Sequence, residues 1–154
     1  TGSSSTSAVG SVTVQTANVI AAPTGISATP SVGSVTVVSN VTNYAVTVAT
    51  GTNVYGTGNK FYIDGSVSPT LTLSEGNTYW FDQSDSTNSG HPLRFSTTAN
   101  GTHGGGVEYT TGVTTTGTPG SAGAYTKITV ASGAPTLYYY CTNHSGMGGQ
   151  ANTP

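Results

Sequence analysis

Residues 136–149 read TLYYYCTNHSGMGG. The first six residues of this stretch are mostly aromatic or aliphatic, and such residues are enriched in β-strands. The turn residues 132–135 precede it and glycines follow Ser145, so the apolar run is bounded on both sides. The stretch therefore predicts a strand that ends near Cys141 and continues into a glycine-rich loop. Because side chains alternate along a strand, Tyr139 and Cys141 are expected to share one face.

Short runs of the same kind recur from residue 60 onward, bounded by Gly, Pro, Asn or Ser. They are, in order, residues 61–65, 70–73, 78–81, 91–96, 127–130 and 136–141. No segment has apolar residues at the i, i+3, i+4 and i+7 spacing of an amphipathic helix. Strands and turns at this spacing are typical of a β-sandwich or a β-barrel. The sequence therefore predicts an all-β fold.

The charge content of the chain is unusually low. Only 5% of its 154 residues are Asp, Glu, Lys or Arg, whereas about a quarter is usual. Three Lys and Arg residues are too few to bind nucleic acid or an anionic membrane. No apolar run approaches the roughly 18 residues of a membrane-spanning helix. The single cysteine excludes a disulfide within the chain. This composition favours an all-β protein outside the cytosol.

The N-terminal third has a simpler composition than the rest. No charged residue precedes Lys60, and the hexapeptide VGSVTV occurs at residues 9–14 and again at 32–37. We divide the chain into a β-rich arm, residues 1–58, and a domain, residues 59–154. The arm has two interpretations. Its strands either belong to an ordinary sandwich or add to the sheet edge of a neighbouring subunit, as alternating Val and Ser/Thr residues allow.

Four residues offer metal-binding groups in a recognisable order. Cys141, His144 and Met147 lie within seven residues of one another and provide a thiolate, an imidazole and a thioether. Blue-copper sites use two histidines and one cysteine in a plane, with a weak axial methionine. The second imidazole has to come from elsewhere, and His91 is the candidate because it begins a strand after a polar loop. A cysteine alone is more often a buried hydrophobe, so the interpretation depends on all four residues together.

These residues resemble those of the cupredoxins. The family has an early histidine in a motif similar to residues 91–95 (HPLRF), and later a Tyr-x-Tyr-Cys strand that leads into the remaining ligands. The spacing Cys-x2-His-x2-Met resembles the short ligand loop of the amicyanins, and the similarity covers residues 61–151. The resemblance implies a Greek-key β-sandwich with a type 1 copper site. It also implies the ligands, which are the equatorial His91, Cys141 and His144 and the axial Met147.

The chain also departs from small electron carriers. Its charge is too sparse for a charged docking patch, and residues 1–58 have no counterpart in a minimal cupredoxin. Its composition and repeats are similar to those of structural proteins of marine bacteriophages. We therefore expect a non-enzymatic structural protein on the surface of a virion or an extracellular filament. It would be oligomeric, joined to other protein subunits by β-strand addition through the arm.

Two alternatives to the structural role remain open. The first is a secreted or periplasmic blue-copper protein that transfers electrons. The second is a copper-free cupredoxin-like binding module. Away from the four candidate ligands, His103 is expected to point to solvent. It lies in the polar, glycine-rich segment 97–125, which is expected to be a long connection between strands.

Overall fold

The structure is a computed structural model that describes residues 40–154 and the backbone of two short strands near the N-terminus. These strands, β1 (Thr6–Ser7) and β2 (Val12–Thr13), pair antiparallel with each other. Contacts divide the chain into two compact units, Thr1–Val38 and Ser39–Pro154. The second copy of the hexapeptide lies outside the described residues. So does most of the arm, and its predicted attachment to a neighbouring subunit stays a prediction.

The second unit is built of strands rich in β-branched and aromatic residues, the types that fit a pleated, half-buried surface. Its strands are β3 (Val41–Asn53), β4 (Gly56–Ile63), β5 (Ser66–Val67), β6 (Leu71–Thr72), β7 (Thr78–Asp82), β8 (Leu93–Ser96), β9 (Glu108–Tyr109), β10 (Val113–Thr116), β11 (Tyr125–Thr129), β12 (Leu137–Cys141) and β13 (Gly149–Asn152). Two 3-10 turns, Ser86–Asn88 and Gly101–Gly104, complete the regular elements. Among the described residues, no helix is long and apolar enough to cross a membrane.

The strands form a six-stranded and a five-stranded sheet. The six-stranded sheet has the order β10-β11-β7-β3-β4-β5, and the five-stranded sheet has the order β6-β13-β12-β8-β9. Two neighbouring pairs, β3 with β7 and β6 with β13, are parallel, and the other pairs are antiparallel. The chain crosses repeatedly between the sheets, so both sheets contain strands that are distant in sequence.

The hydrophobic core lies between the two sheets. Along β7, alternate residues are buried, and the rings of Phe81 on β7 and Phe95 on β8 meet edge to face with their centroids 5.4 Å apart. The same cluster includes Tyr139 and Cys141 of β12, on one face of that strand as the sequence predicts. The prediction of an all-β, sandwich-like fold is confirmed.

The domain boundary predicted at residue 58 falls inside a β-hairpin. Strand β3 pairs with β4 over eight residues and with β7 over five, and Val46 and Val48 of β3 lie in the core. Residues 41–58 therefore belong to the sandwich, and the compact unit begins at Ser39. We assigned this uncharged segment to the arm from its sequence, but it forms strands of the sandwich.

The segment 97–125 also contains more structure than a connection. It folds into a 3-10 turn and the strands β9 and β10, and β10 forms an edge of the six-stranded sheet. The sequence of β10, VTTT, suits a strand because Val and Thr are β-branched.

The register of the five-stranded sheet brings the predicted ligands together. Cys141, at the end of β12, pairs with Leu93, at the start of β8. Residues opposite each other in an antiparallel pair share a face, so Cys141 lies on the core side with Leu93. His91 comes two residues before Leu93, and the loop after Cys141 begins at the same end of the sheet. Two segments fifty residues apart thus meet at one end of the sandwich.

Candidate metal centre

The structure places three of the predicted ligands around one point. The sulfur of Cys141 lies 3.8 Å from Nδ1 of His91 and 3.7 Å from Nδ1 of His144. The candidate ligand atoms of the three residues all lie within 4.8 Å of one another. The two imidazole rings are tilted by 45°, with centroids 4.5 Å apart. This His-Cys-His group can bind a metal ion.

The distances fit a single shared ion. A zinc ion about 2.1 Å from a histidine nitrogen and about 2.3 Å from a cysteine sulfur holds these atoms about 3.6 Å apart at a tetrahedral angle and about 3.8 Å apart near 120°. The two sulfur-to-nitrogen distances are 3.7 and 3.8 Å. The donor atoms are therefore already spaced for coordination of one ion.

The three side chains differ in their access to solvent. Cys141 is fully buried, His91 is half-buried and His144 is exposed. An ion at this point would be shielded on the side of the core and accessible through the imidazole of His144. The sulfur would be protected from water and from oxidants.

Burial and local dipoles act in opposite directions on the thiol. Burial raises the pKa of Cys141, whereas hydrogen bonds from the backbone N–H groups of Asn143 and His144 lower it. Burial also lowers the pKa of His91, and repulsion by His144 adds to the effect. A neutral imidazole has a free lone pair for a metal, and a metal ion can displace the proton of the thiol.

Met147 is buried at the same end of the sandwich. Its side chain is 1% exposed and belongs to the core cluster together with Cys141. Its carbonyl oxygen accepts hydrogen bonds from the backbone N–H of Phe61, at 2.9 Å, and from the hydroxyl of Ser68, at 3.0 Å. The backbone of Met147 is therefore attached to strand β4 and to the loop that follows β5.

The loop that carries His144 and Met147 is held by polar side chains from distant segments. The carbonyl oxygen of Gly146 accepts hydrogen bonds from Lys60, at 2.8 Å, and from Asn53, at 3.0 Å. The Asn53 amide also donates to the carbonyl oxygen of Gly148, at 3.1 Å. On the other side of the loop, the N–H of Gly146 donates to Asn100, at 2.7 Å.

A second set of contacts holds the segment of His91. The amide of Gln83, which is 1% exposed, donates to the carbonyl oxygen of His91, at 2.8 Å, and its oxygen accepts from the N–H of Leu93, at 3.1 Å. The N–H of His91 donates to the backbone carbonyl of Asn88. The side chain of Asn143 bridges from the ligand loop to the carbonyl oxygen of Gly90, at 2.9 Å.

His103 lies close to the site but outside the His-Cys-His group. Its side chain is exposed, as expected, yet Nε2 lies 3.0 Å from the carbonyl oxygen of Cys141. Its ring meets Tyr140 edge to face, with centroids 6.4 Å apart. His103 therefore contacts the backbone of a ligand residue as well as solvent, an interaction that the sequence did not indicate.

The sequence also missed the side chains that hold the two ligand segments. These are Asn53, Lys60, Ser68, Gln83, Asn100 and Asn143. Polar residues of these types occur throughout the chain, so nothing in the pattern distinguishes them.

We compared the chain with known proteins. The structure by itself establishes a β-rich fold with a group of one cysteine and two histidines that can bind a metal ion. Comparisons with protein-family models, with curated proteins and with solved structures gave no match.

Proposed function

We propose that residues 39–154 form a cupredoxin-like domain with a type 1 copper site, and that this site exchanges single electrons. The observation that supports the proposal is the placement of Cys141 between the Nδ1 atoms of His91 and His144, at 3.8 and 3.7 Å. Met147, buried at the same end, would supply the weak axial ligand. All four residues were candidates from their sequence pattern alone.

The donor set favours copper over zinc. Structural zinc sites use four strong ligands in a tetrahedron, and catalytic ones add water to three. Here the strong ligands are one thiolate and two imidazoles, and a thioether, which binds weakly, is the fourth candidate. One cysteine, two histidines and a long axial methionine are the ligands of blue-copper sites. A copper ion bound there would supply reversible exchange of one electron.

In an electron-transfer site, the residues around the metal would have different roles. Cys141 is buried, so its sulfur is kept away from water. His144 is exposed and offers a path for electrons between a partner and the interior. Lys60, Asn53 and Asn100 hold the loop from both sides, which restricts its movement when the charge of the site changes.

Copper addition tests this proposal directly. The purified full chain is titrated with Cu(II), and its visible absorption and bound metal are measured. We expect one copper per chain and the intense blue colour of a thiolate-copper charge transfer, which requires a Cu(II)–cysteine bond. Cys141→Ser should remove the colour, whereas Thr142→Ser, a change of the neighbouring residue, should retain it.

Two results would contradict a type 1 site. One is colourless binding of copper by the wild-type chain. The other is an equal blue absorption in Cys141→Ser, which would place the copper elsewhere. A preference for zinc over copper, with no colour, would support the metal site but not its function in electron transfer.

A structural role in a virion or an extracellular filament is our second proposal. The observation that favours it is the open edge of the six-stranded sheet. Within the described residues, β10 has a neighbour on one side only, and its sequence, VTTT, contains no charge. Exposed strand edges usually carry charges or proline that prevent pairing with other chains. An uncharged edge is suited to strand addition between protein subunits.

The molecular mass of the full chain in solution tests the structural proposal. We expect concentration-dependent oligomers, which Thr114→Lys on β10 should weaken because a charged edge opposes strand pairing. Ser121→Lys, at an exposed loop position, adds the same charge as a control. A wild-type chain that is monomeric at every concentration would be evidence against self-assembly through this edge.

A further inference from the structure

A cleft of about 320 Å³ lies on the outer face of the six-stranded sheet. Its walls include Asn43 of β3, Trp80 and Asp82 of β7, and Tyr125 of β11. The sheet register explains why they meet, because Trp80 pairs with Asn43 and Asp82 pairs with Tyr125 on the same face. None of the four candidate ligands lines the cleft, so the cleft is a separate feature.

Two aromatic rings form the apolar part of the cleft. The centroids of Trp80 and Tyr125 are 4.2 Å apart and the rings are tilted by 45°. Both side chains are half-buried, so part of each ring remains accessible to a ligand. The amine of Lys127 lies 5.2 Å from the centre of the Trp80 ring, which fixes one side of that ring by a cation-π contact.

Several polar groups of the cleft have no partner within residues 40–154. The side-chain amide of Asn43 and the hydroxyls of Ser84 and Tyr125 form no hydrogen bond to any described residue. Asp82 uses one oxygen to accept from the N–H of Ser84, at 2.8 Å, and its other oxygen has no such partner. The cleft therefore offers both hydrogen-bond donors and acceptors beside exposed aromatic carbon.

We infer that this cleft binds a neutral saccharide. Sugar rings present apolar C–H faces that pack on aromatic rings, and their hydroxyl groups donate and accept hydrogen bonds at the rim. Asn43, Ser84 and Asp82 match those hydroxyls, while Trp80 and Tyr125 match the C–H faces. The volume lies at the lower end of the range for small-molecule sites, about 300–1,000 Å³, which suits one or two sugar rings.

Other classes of ligand fit the cleft less well. The carboxylate of Asp82 would repel a phosphate or a sulfate. A purely apolar ligand would cover the free polar groups of Asn43 and Ser84 without replacing their bonds to water, which is costly. A cationic ligand would compete with Lys127, which already occupies one side of Trp80.

The fluorescence of Trp80 gives a direct test, because it is the only tryptophan of the chain. The metal-free full chain is titrated with cellotetraose, maltotetraose, mannotetraose and chitotetraose. We expect a saturable change in emission with at least one of the four oligosaccharides. Tyr125→Ala should weaken that binding at least tenfold, and Asn43→Ala should weaken it to a smaller extent.

The control is Tyr55→Ala, which removes an exposed tyrosine that does not line the cleft. It should bind as tightly as the wild type. Circular dichroism and thermal unfolding of each variant separate loss of binding from loss of fold. The inference is wrong if none of the four oligosaccharides changes the emission, or if folded Tyr125→Ala and Asn43→Ala bind as tightly as the wild-type chain.

Discussion

Lys60 is a buried cation beside the ligand loop. It is 3% exposed, and its amine donates to the carbonyl oxygen of Gly146, one residue before Met147. Burying a charged group is costly unless it is hydrogen-bonded or paired. The chain has only three Lys and Arg residues, and one of them donates to the loop that carries His144 and Met147, where its charge can affect a bound metal ion.

We predict that Lys60→Met lowers the reduction potential of the copper-loaded chain. The oxidised site carries one more positive charge than the reduced site, so a nearby cation disfavours it, and removal of the cation stabilises it. Two unit charges about 12 Å apart interact by about 1.4 kcal/mol at an effective dielectric constant of about 20, and for one electron a change of this size is a fall of about 60 mV. Voltammetry of both proteins measures it.

The matched control for this charge is Lys127→Met. Lys127 lies on the outer face of the six-stranded sheet, over Trp80, where solvent and salt screen its charge. We expect its loss to leave the potential nearly unchanged. Equal shifts in the two variants would show that the potential follows the net charge of the chain and not the position of Lys60.

Gln83 is the residue that connects the segment of His91 to the core. We predict that Gln83→Leu lowers the free energy of unfolding by roughly 2–4 kcal/mol, because buried polar groups left unpaired cost about 1–3 kcal/mol each. The groups affected are the carbonyl of His91 and the N–H of Leu93. Chemical denaturation measures the loss, and copper affinity should fall with it because His91 is no longer held.

A suitable comparison is Gln150→Leu, which removes one half-buried hydrogen bond to Asn152. Its expected cost is about 0.5–1.5 kcal/mol, the net value of an ordinary hydrogen bond. A Gln83 variant no less stable than the Gln150 variant would mean that water or other groups replace the bonds that Gln83 makes.

At the scale of elements, the loop between β12 and β13 is packed closely against the strand that precedes it. Gly148 lies against the carbonyl group of Tyr139, so that a Cβ at this position would overlap with a backbone atom. The amide of Asn53 fixes the same segment through the carbonyl of Gly148. The return of the chain from Met147 into β13 thus requires a residue without a side chain.

We predict that Gly148→Ala destabilises the fold and disturbs the metal site together. Forcing extra atoms into a packed region usually costs about 1–3 kcal/mol. The upper end is expected here, because the carbonyl of Tyr139 belongs to a strand and cannot rotate away. Denaturation and the visible absorption of the copper-loaded protein measure the two effects. Unchanged stability would show that the loop can shift without cost.

At the scale of the whole molecule, the fold class and the residues of the His-Cys-His group could be predicted from the sequence. Short aromatic and aliphatic runs identify strands such as β7 and β12, because these residue types fit a pleated, half-buried surface. The ligand pattern is readable because soft metal ligands are rare in this chain, with one Cys and one Met. The register of β8 with β12 then brings His91 to Cys141.

The domain boundary could not be predicted in this way, and neither could the polar contacts that hold the two ligand segments. Strand β3 has the same Thr/Val/Ala composition as the segment before it, and its pairing with β7 connects residues far apart in sequence. The contacts of Asn53, Gln83 and Asn100 with the ligand segments likewise depend on the tertiary fold. Single polar residues carry no sequence signal for such contacts.

The last prediction concerns the stability of the entire chain. The candidate ligands come from two segments, before β8 and after β12, so an ion bound to His91, Cys141 and His144 would connect them and bind only the folded chain. Ligand binding to the native state stabilises it by about 2.7 kcal/mol when the free ligand is a hundred times its Kd. We therefore expect copper to raise the denaturation midpoint of the wild-type chain and to have little effect on Cys141→Ser. Equal stabilisation of both proteins would mean that copper binds outside the cluster, and no stabilisation of either would mean that the cluster does not retain copper in the folded state.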